Sequence, residues 1–298
     1  RKAVFFPMLQ GSIVALITPM KEDGNIDRQA VIQLIEWHIQ SGTSAISIAG
    51  TTGESSTLSH EEHTQLLKLA LEVSQGRIHI MAGAGSSNTK EAISLTQEAQ
   101  QLGADSVLSI VPYYNKPSQE GVFAHFKAIA QSSDIPIILY NVPGRTVIDL
   151  NNDTVLRLAE FKNIVGLKDA TGHIARACDL IKRVPKDFAL YSGDDPSSLA
   201  FMLCGGHGAV SVCANILPQL FAKMCQAALN KDVQKAKELN EQLQVVYPIL
   251  FYEPSPAVPK WILYKMKKCG LQTRLPIMQL SPSTQKVVEK VLEPFHLF

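Results

Sequence analysis

Residues 135–172 read IPIILYNVPGRTVIDLNNDTVLRLAEFKNIVGLKDATG. The run 135–141 is β-branched and apolar without polar alternation, the pattern of a strand buried on both faces. A Pro- and Gly-containing turn follows, then an amphipathic helical stretch over 151–160. Residues 164–168 form a second apolar run, which ends on Lys168-Asp169. Strand, crossover helix and strand make a parallel β-α-β unit, since parallel neighbours need a crossover of a dozen or more residues.

The same unit recurs along the chain. Outward from it, strands are expected at 13–17, 45–49, 78–82, 106–111, 188–192 and 209–212. Helical patterns fill the intervals at 28–40, 61–74, 89–102, 120–132, 174–184 and 196–204. Ser59-His-Glu-Glu62 reads as a capping box and Ser118 as an N-cap, while Gly42, Gly103 and Gly205 fall just past helix ends. Eight strands alternating with helices predict an α/β fold, a (β/α)8 TIM barrel. The rival is a doubly wound open sheet, which usually carries a glycine-rich nucleotide turn after its first strand. Here the first strand leads only to Thr18-Pro19, and Gly83-Ala-Gly85-Ser-Ser-Asn88 is incomplete and follows the third strand. After the eighth strand, helical patterns at 219–229, 233–247, 257–269 and 283–292 predict a C-terminal helical extension. The expected division is a catalytic barrel over 8–215 and the extension over 216–298. Residues 1–7, ahead of Met8, read as an added segment outside the fold and too short for a signal peptide.

Composition narrows the partners. The chain has 298 residues, enough for a sizeable core without staples. Its 28 Lys+Arg against 27 Asp+Glu leave a net charge of +1, no basic field for nucleic acid. No apolar run reaches the roughly 18 residues of a membrane-spanning helix. Five cysteines, with no Cys-x-x-Cys pair, read as reduced core thiols of a cytoplasmic protein.

Barrels of this kind keep their chemistry at the carboxyl ends of the strands. Those ends carry Gly50-Thr51-Thr52-Gly53-Glu54-Ser55, Tyr113-Tyr114-Asn115, Tyr140-Asn141 with Arg145-Thr146, Lys168-Asp169 and Gly193-Asp194-Asp195. Lys168 is the sharpest residue. An amine with little water around it disfavours the ammonium form and becomes a usable nucleophile toward a carbonyl. A lone lysine at a strand end more often snorkels to solvent. Its company here favours chemistry: tyrosines can move protons, threonines can position them, and Arg145 can hold a carboxylate bidentately.

Gly50-Thr-Thr-Gly-Glu54, Tyr140-Asn-Val-Pro143 with Arg145-Thr146, and Gly166-Leu-Lys-Asp-Ala-Thr-Gly172 resemble the signatures of the dihydrodipicolinate synthase family. These are class I, pyruvate-dependent aldolases, and the resemblance runs from about Gly11 through the C-terminal helices. It implies condensation of pyruvate with aspartate 4-semialdehyde, the first committed step of lysine synthesis. On that resemblance Lys168 is the Schiff-base lysine, and Thr51, Tyr140 and Tyr114 form a proton relay. Tyr114 would reach into a partner's site across a dimer interface, within a tetramer built as a dimer of dimers. Thr51-Thr52 would bind the pyruvate carboxylate through backbone N–H and hydroxyl groups. Gly193 and Val210 would line the same pocket, and Arg145 would hold the semialdehyde carboxylate. Pyruvate is bound covalently as substrate, and no metal or other cofactor is implied. Sialic acid lyases and sugar-acid aldolases share the lysine and tyrosine, but the Arg145-Thr146 pair favours a small acidic aldehyde.

The resemblance also implies a lysine-inhibitor site of Ser55, Ser56, His60, His63, Ser87, Glu91 and Tyr113. Ser87 stands where the family usually has Asn, with Asn88 beside it. His60 and His63 make a poor metal pair, because their i, i+3 spacing lacks the His-Glu-x-x-His pattern and a third ligand. Two other classes remain. A metal-dependent hydrolase would need histidines at the strand ends, and a non-catalytic ligand-binding relative would have lost the lysine or a relay residue.

Overall fold

A parallel strand buried on both faces has to be covered by helices outside and side chains inside, and both coverings are present. The structure is a computed structural model that describes residues 8–298; the reading of residues 1–7 falls outside the described residues. The strands are β1 (Gly11–Ala15), β2 (Ala45–Ile48), β3 (His79–Gly83), β4 (Ser106–Ile110), β5 (Ile137–Asn141), β6 (Ile164–Asp169), β7 (Ala189–Ser192) and β8 (Gly208–Ser211). They pair in chain order, all parallel, and β8 closes on β1 with Ile13 beside Val210. The (β/α)8 barrel expected from the alternation is what forms.

Between the strands run α1 (Arg28–Gln40), α2 (His60–Ser74), α3 (Thr89–Leu102), α4 (Gln119–Gln131), the single turn α5 (Pro143–Thr146), α6 (Asn152–Leu158), α7 (Ile174–Arg183) and α8 (Ser198–Leu203). After β8 come α9 (Pro218–Leu229), α10 (Val233–Gln244), α11 (Ala257–Lys265) and α12 (Pro282–Leu292). Local chemistry sets their ends. Ser59 and Glu62 complete a reciprocal capping box on α2, and Ser118 caps α4. Gly103 ends α3 with a φ of 89°, which a side chain would strain. Strand β5 starts two residues later than expected because Pro136 has no N–H for the ladder. Helix α11 stops at Lys265 rather than 269, and residues 195–197 form a separate 3-10 turn ahead of α8.

Two layers of side chains result. Inside the barrel lie Ile13, Met81, Leu108, Ile138, Tyr191 and Val210. Outside, one continuous cluster joins Leu167 and Phe126 to Phe221, Leu243, Trp261 and Leu292. The C-terminal helices therefore share the barrel's outer core. Helix α9 follows β8 and lies against β1, so it completes the β/α alternation. We propose that the extension begins at α10 rather than at residue 216. The thiols divide differently from the sequence reading: Cys213 and Cys225 are buried and Cys269 partly so, whereas Cys178 and Cys204 are exposed. Among the described residues no helix is long and apolar enough to cross a membrane.

Candidate active site

The inward-facing end of β6 carries Lys168, registered between Tyr140 of β5 and Tyr191 of β7. Lys168 is buried, and its Nζ lies 3.9 Å from the centre of the Tyr140 ring. The ring packs against the amine and fixes its place at the carboxyl end of the barrel. Gly193, just past β7, makes room for it. A Cβ there would sit 2.8 Å from both Lys168 Cε and Ala170 Cβ. The Gly193 N–H donates to the Asp169 carbonyl at 2.7 Å, fixing the loop against β6. Val210 belongs to the same inner layer as Tyr140.

The loop after β2 folds back as a tight turn. Glu54 N–H donates to the Thr51 carbonyl at 3.0 Å, and the Thr18 hydroxyl donates to the Gly53 carbonyl at 2.6 Å. Thr52 is buried. Among the described residues no acceptor meets the Thr51 or Thr52 N–H, which leaves two adjacent donors for an anion.

Arg145 is presented by α5, directly after β5. It is exposed and enters none of the ion pairs among the described residues. The loop beneath it is tied down from inside. Asn141 Nδ2 donates to Asp149 at 2.7 Å, and Leu150 N–H donates to Asn141 Oδ1 at 3.0 Å. Arg176 of α7 grips both Asp149 oxygens, at 2.7 and 2.6 Å, and donates to the Leu150 carbonyl. The sequence reading named Asn141 only as part of a motif and passed over Asp149 and Arg176.

Tyr114 stands apart. It is 91% exposed, with a left-handed φ of 74°, and Tyr113 beside it is also exposed. Within one chain it does not join Lys168.

Of the seven residues of the suggested inhibitor site, Ser55, Ser56, Ser87 and Tyr113 lie on the loops after β2, β3 and β4, while His60 and His63 stand in the first turn of α2 and Glu91 in that of α3. Ser55 sits in a 3-10 turn with Ser56, which is exposed. His60 faces Glu98 at 3.2 Å. His63 is turned inward: its Nε2 meets the Gly83 carbonyl at 2.7 Å, and burial pushes its pKa down. Glu91 accepts from the Ser86 hydroxyl at 2.5 Å, and the Ser87 carbonyl accepts from Asn115 Nδ2 at 3.0 Å. That last bond ties the Ser87 segment to the Tyr113-Tyr114 loop. Among the described residues no three His, Cys, Asp or Glu side chains converge on a metal position.

A buried amine, a phenol ring beside it, two backbone N–H groups with no acceptor among the described residues and an unpaired guanidinium, all at the carboxyl ends of the strands, fit the needs of imine chemistry on acidic substrates. Residues 8–294 match the model of the "Dihydrodipicolinate synthetase family". The 4-hydroxy-tetrahydrodipicolinate synthase of Laribacter hongkongensis is 56% identical over 290 residues, 97% of this chain and 100% of that relative. The crystal structure of the chloride-inhibited dihydrodipicolinate synthase from Acinetobacter baumannii complexed with pyruvate superposes with a TM-score of 0.96. It is 47% identical and covers 98% of this chain and 100% of its own. The dihydrodipicolinate synthase of Cyanidioschyzon merolae with lysine bound gives 0.94 at 35% identity, covering 97% and 99%. Fold, near-complete coverage and the motifs at the strand ends agree: this chain belongs to the dihydrodipicolinate synthetase family.

Proposed function

We infer that this chain condenses pyruvate with L-aspartate 4-semialdehyde to give 4-hydroxy-tetrahydrodipicolinate, the lyase reaction that opens lysine synthesis through diaminopimelate. The observation that carries this is the buried Lys168 amine over the Tyr140 ring, in a chain 56% identical along its length to a relative of that name.

The Thr51 and Thr52 amides and hydroxyls bind the pyruvate carboxylate, and Gly193 and Val210 shape the pocket around it. Lys168 Nζ attacks the ketone carbon, and the carbinolamine loses water to give an iminium. The iminium nitrogen is the electron sink for the next step, so these steps call on no further cofactor. A methyl proton leaves and the enamine forms. Tyr140 moves the protons, relayed through Thr51 and through Tyr114 of the partner subunit. The enamine carbon then bonds to the aldehyde of the second substrate, whose carboxylate Arg145 holds. The substrate's own amine attacks the iminium carbon, closes the ring and expels Lys168.

This reading makes the working unit at least a dimer, within a tetramer. The 91% exposure of Tyr114 supports it, since a large ring held in solvent by a strained backbone gains from a partner surface. It also places lysine as an inhibitor at Ser55, Ser56, His60, His63, Ser87, Glu91 and Tyr113. Support comes from the lysine-bound relative and from the Ser87–Asn115 bond linking that cluster to the Tyr114 loop. An enzyme of amino-acid biosynthesis with this reading is expected in the cytoplasm.

Borohydride reduction with pyruvate, followed by peptide mass spectrometry, tests the chemistry. Lys168 gains the reduced pyruvyl adduct and the Lys168→Ala variant gains none. Trapping elsewhere, or turnover of N-acetylneuraminate but not of aspartate 4-semialdehyde, defeats the assignment.

A further inference from the structure

The segment 254–274 supplies a charge network that the chemistry above does not use. Lys260 lies on α11 inside the apolar run Ala257-Val-Pro-Lys-Trp-Ile-Leu263, and its side chain is wholly buried. Its ammonium pairs with the Glu54 carboxylate, itself only 2% exposed, and donates to the Gln272 carbonyl at 2.7 Å. Arg274 N–H donates to Glu54 Oε1 at 2.9 Å. The Arg274 guanidinium clasps Glu62 and the carbonyls of Gly24 and Thr57.

Glu54 closes the turn that begins at Thr51. It holds a left-handed φ of 58°, a conformation that costs a non-glycine residue free energy and persists only where the surroundings enforce it. The enforcement is two-sided, with Thr18 on the Gly53 carbonyl and Lys260 with Arg274 on the Glu54 carboxylate. A buried ion pair is a weak source of net stability, because desolvating both charges offsets their attraction and an apolar pair of similar volume often serves as well. What such a pair does supply is a fixed geometry.

We propose that Glu54 and Lys260 are positioning residues for pyruvate: their ion pair locks the Thr51–Glu54 turn so that the Thr51 and Thr52 N–H groups face the substrate carboxylate. The C-terminal helices thereby act on the first step of the reaction. The inference rests on the reading of Thr51-Thr52 as the carboxylate site.

The test uses the full chain carrying Glu54→Gln together with Lys260→Met, with Glu54→Gln alone beside it. Gln keeps the acceptor for Arg274, and Met fills the lysine's volume. Borohydride trapping at Lys168 is titrated with pyruvate, and KM is measured for each substrate. The pyruvate concentration for half-maximal trapping is expected to rise about tenfold or more, since misplacing binding groups by about an ångström is felt on that scale. KM for aspartate 4-semialdehyde stays near wild type in both, and the unfolding midpoint shifts little in the double variant, where no buried charge is left unpaired. Unchanged half-saturation in a folded variant overturns the proposal. Loss of fold in both variants also overturns it, by making the pair a stability element. A wild-type chain that gives no adduct at Lys168 instead overturns the Schiff-base reading, so the two failures are told apart.

Discussion

A methyl group added at Gly193 would meet Lys168 Cε and Ala170 Cβ at 2.8 Å, below any ordinary carbon contact. Gly193→Ala should cost on the order of 1–3 kcal/mol through overpacking. It should also cut pyruvate trapping at Lys168 by about a hundredfold, because the amine is displaced from its approach line. Trapping rates and thermal melts on the same preparation separate the two effects. The residue itself was named through the family resemblance. Its reason was not, since Lys168 on β6 and Gly193 just past β7 are 25 residues apart and meet only once those two strands pair. Asp195 makes the same point. It reads as one more carboxylate at a strand end, yet it turns into the core and accepts from the Val212 and Cys213 N–H groups at 3.1 and 2.9 Å. Burial pushes its pKa up to about 6, from an ordinary value of 3.8. The native state thus holds a proton that the unfolded chain has released between those values. Stability from this group is full below pH 3.8 and lost as pH rises through 6, a change on the order of 3 kcal/mol. Asp195→Asn keeps an acceptor and removes the titration. Relative to wild type it should gain stability between pH 4 and 7, measured by denaturant unfolding at each pH.

At the scale of elements, the loop from β5 to α6 shows how a flexible connection becomes a rigid one. Arg145 sits on a single helical turn too short to stand alone. Its footing is the Asn141–Asp149–Arg176 network, which joins the end of β5, the loop before α6 and helix α7. Asp149→Ala removes the centre of that network and leaves Lys168, Tyr140 and the Thr51 turn in place. KM for aspartate 4-semialdehyde should rise about tenfold while half-saturation for pyruvate trapping stays unchanged. A parallel loss of both would argue that the loop supports the whole barrel mouth. The alternation of apolar runs made every strand and most helices legible, because period and length are local properties. Caps were legible for the same reason, as Ser59 and Ser118 show. The short α5 turn and the split before α8 were not, since tertiary contacts rather than propensity decide them.

In the whole molecule the chemistry depends on contacts between parts far apart in sequence. Lys260 was passed over inside an apolar helical run, because its partner Glu54 is 206 residues away in the loop after β2. Tyr114 carries the argument beyond one chain. Its ring is 91% exposed, so on the proposed relay each site needs a partner's tyrosine. A twofold dimer makes that dependence testable without a structure of the assembly. Subunits carrying Lys168→Ala cannot form the imine, and subunits carrying Tyr114→Ala cannot complete a neighbour's relay. In a mixed dimer one site loses both groups and the other regains both. Random assortment of equal amounts makes half the dimers mixed, so about one quarter of all sites should recover full turnover. The assay is condensation rate after the two inactive proteins are unfolded together and refolded, against each refolded alone. Recovery near that fraction places Tyr114 in its partner's site. No recovery from correctly assembled mixed dimers removes it from the relay and leaves Tyr140 and Thr51 to move the protons within one chain.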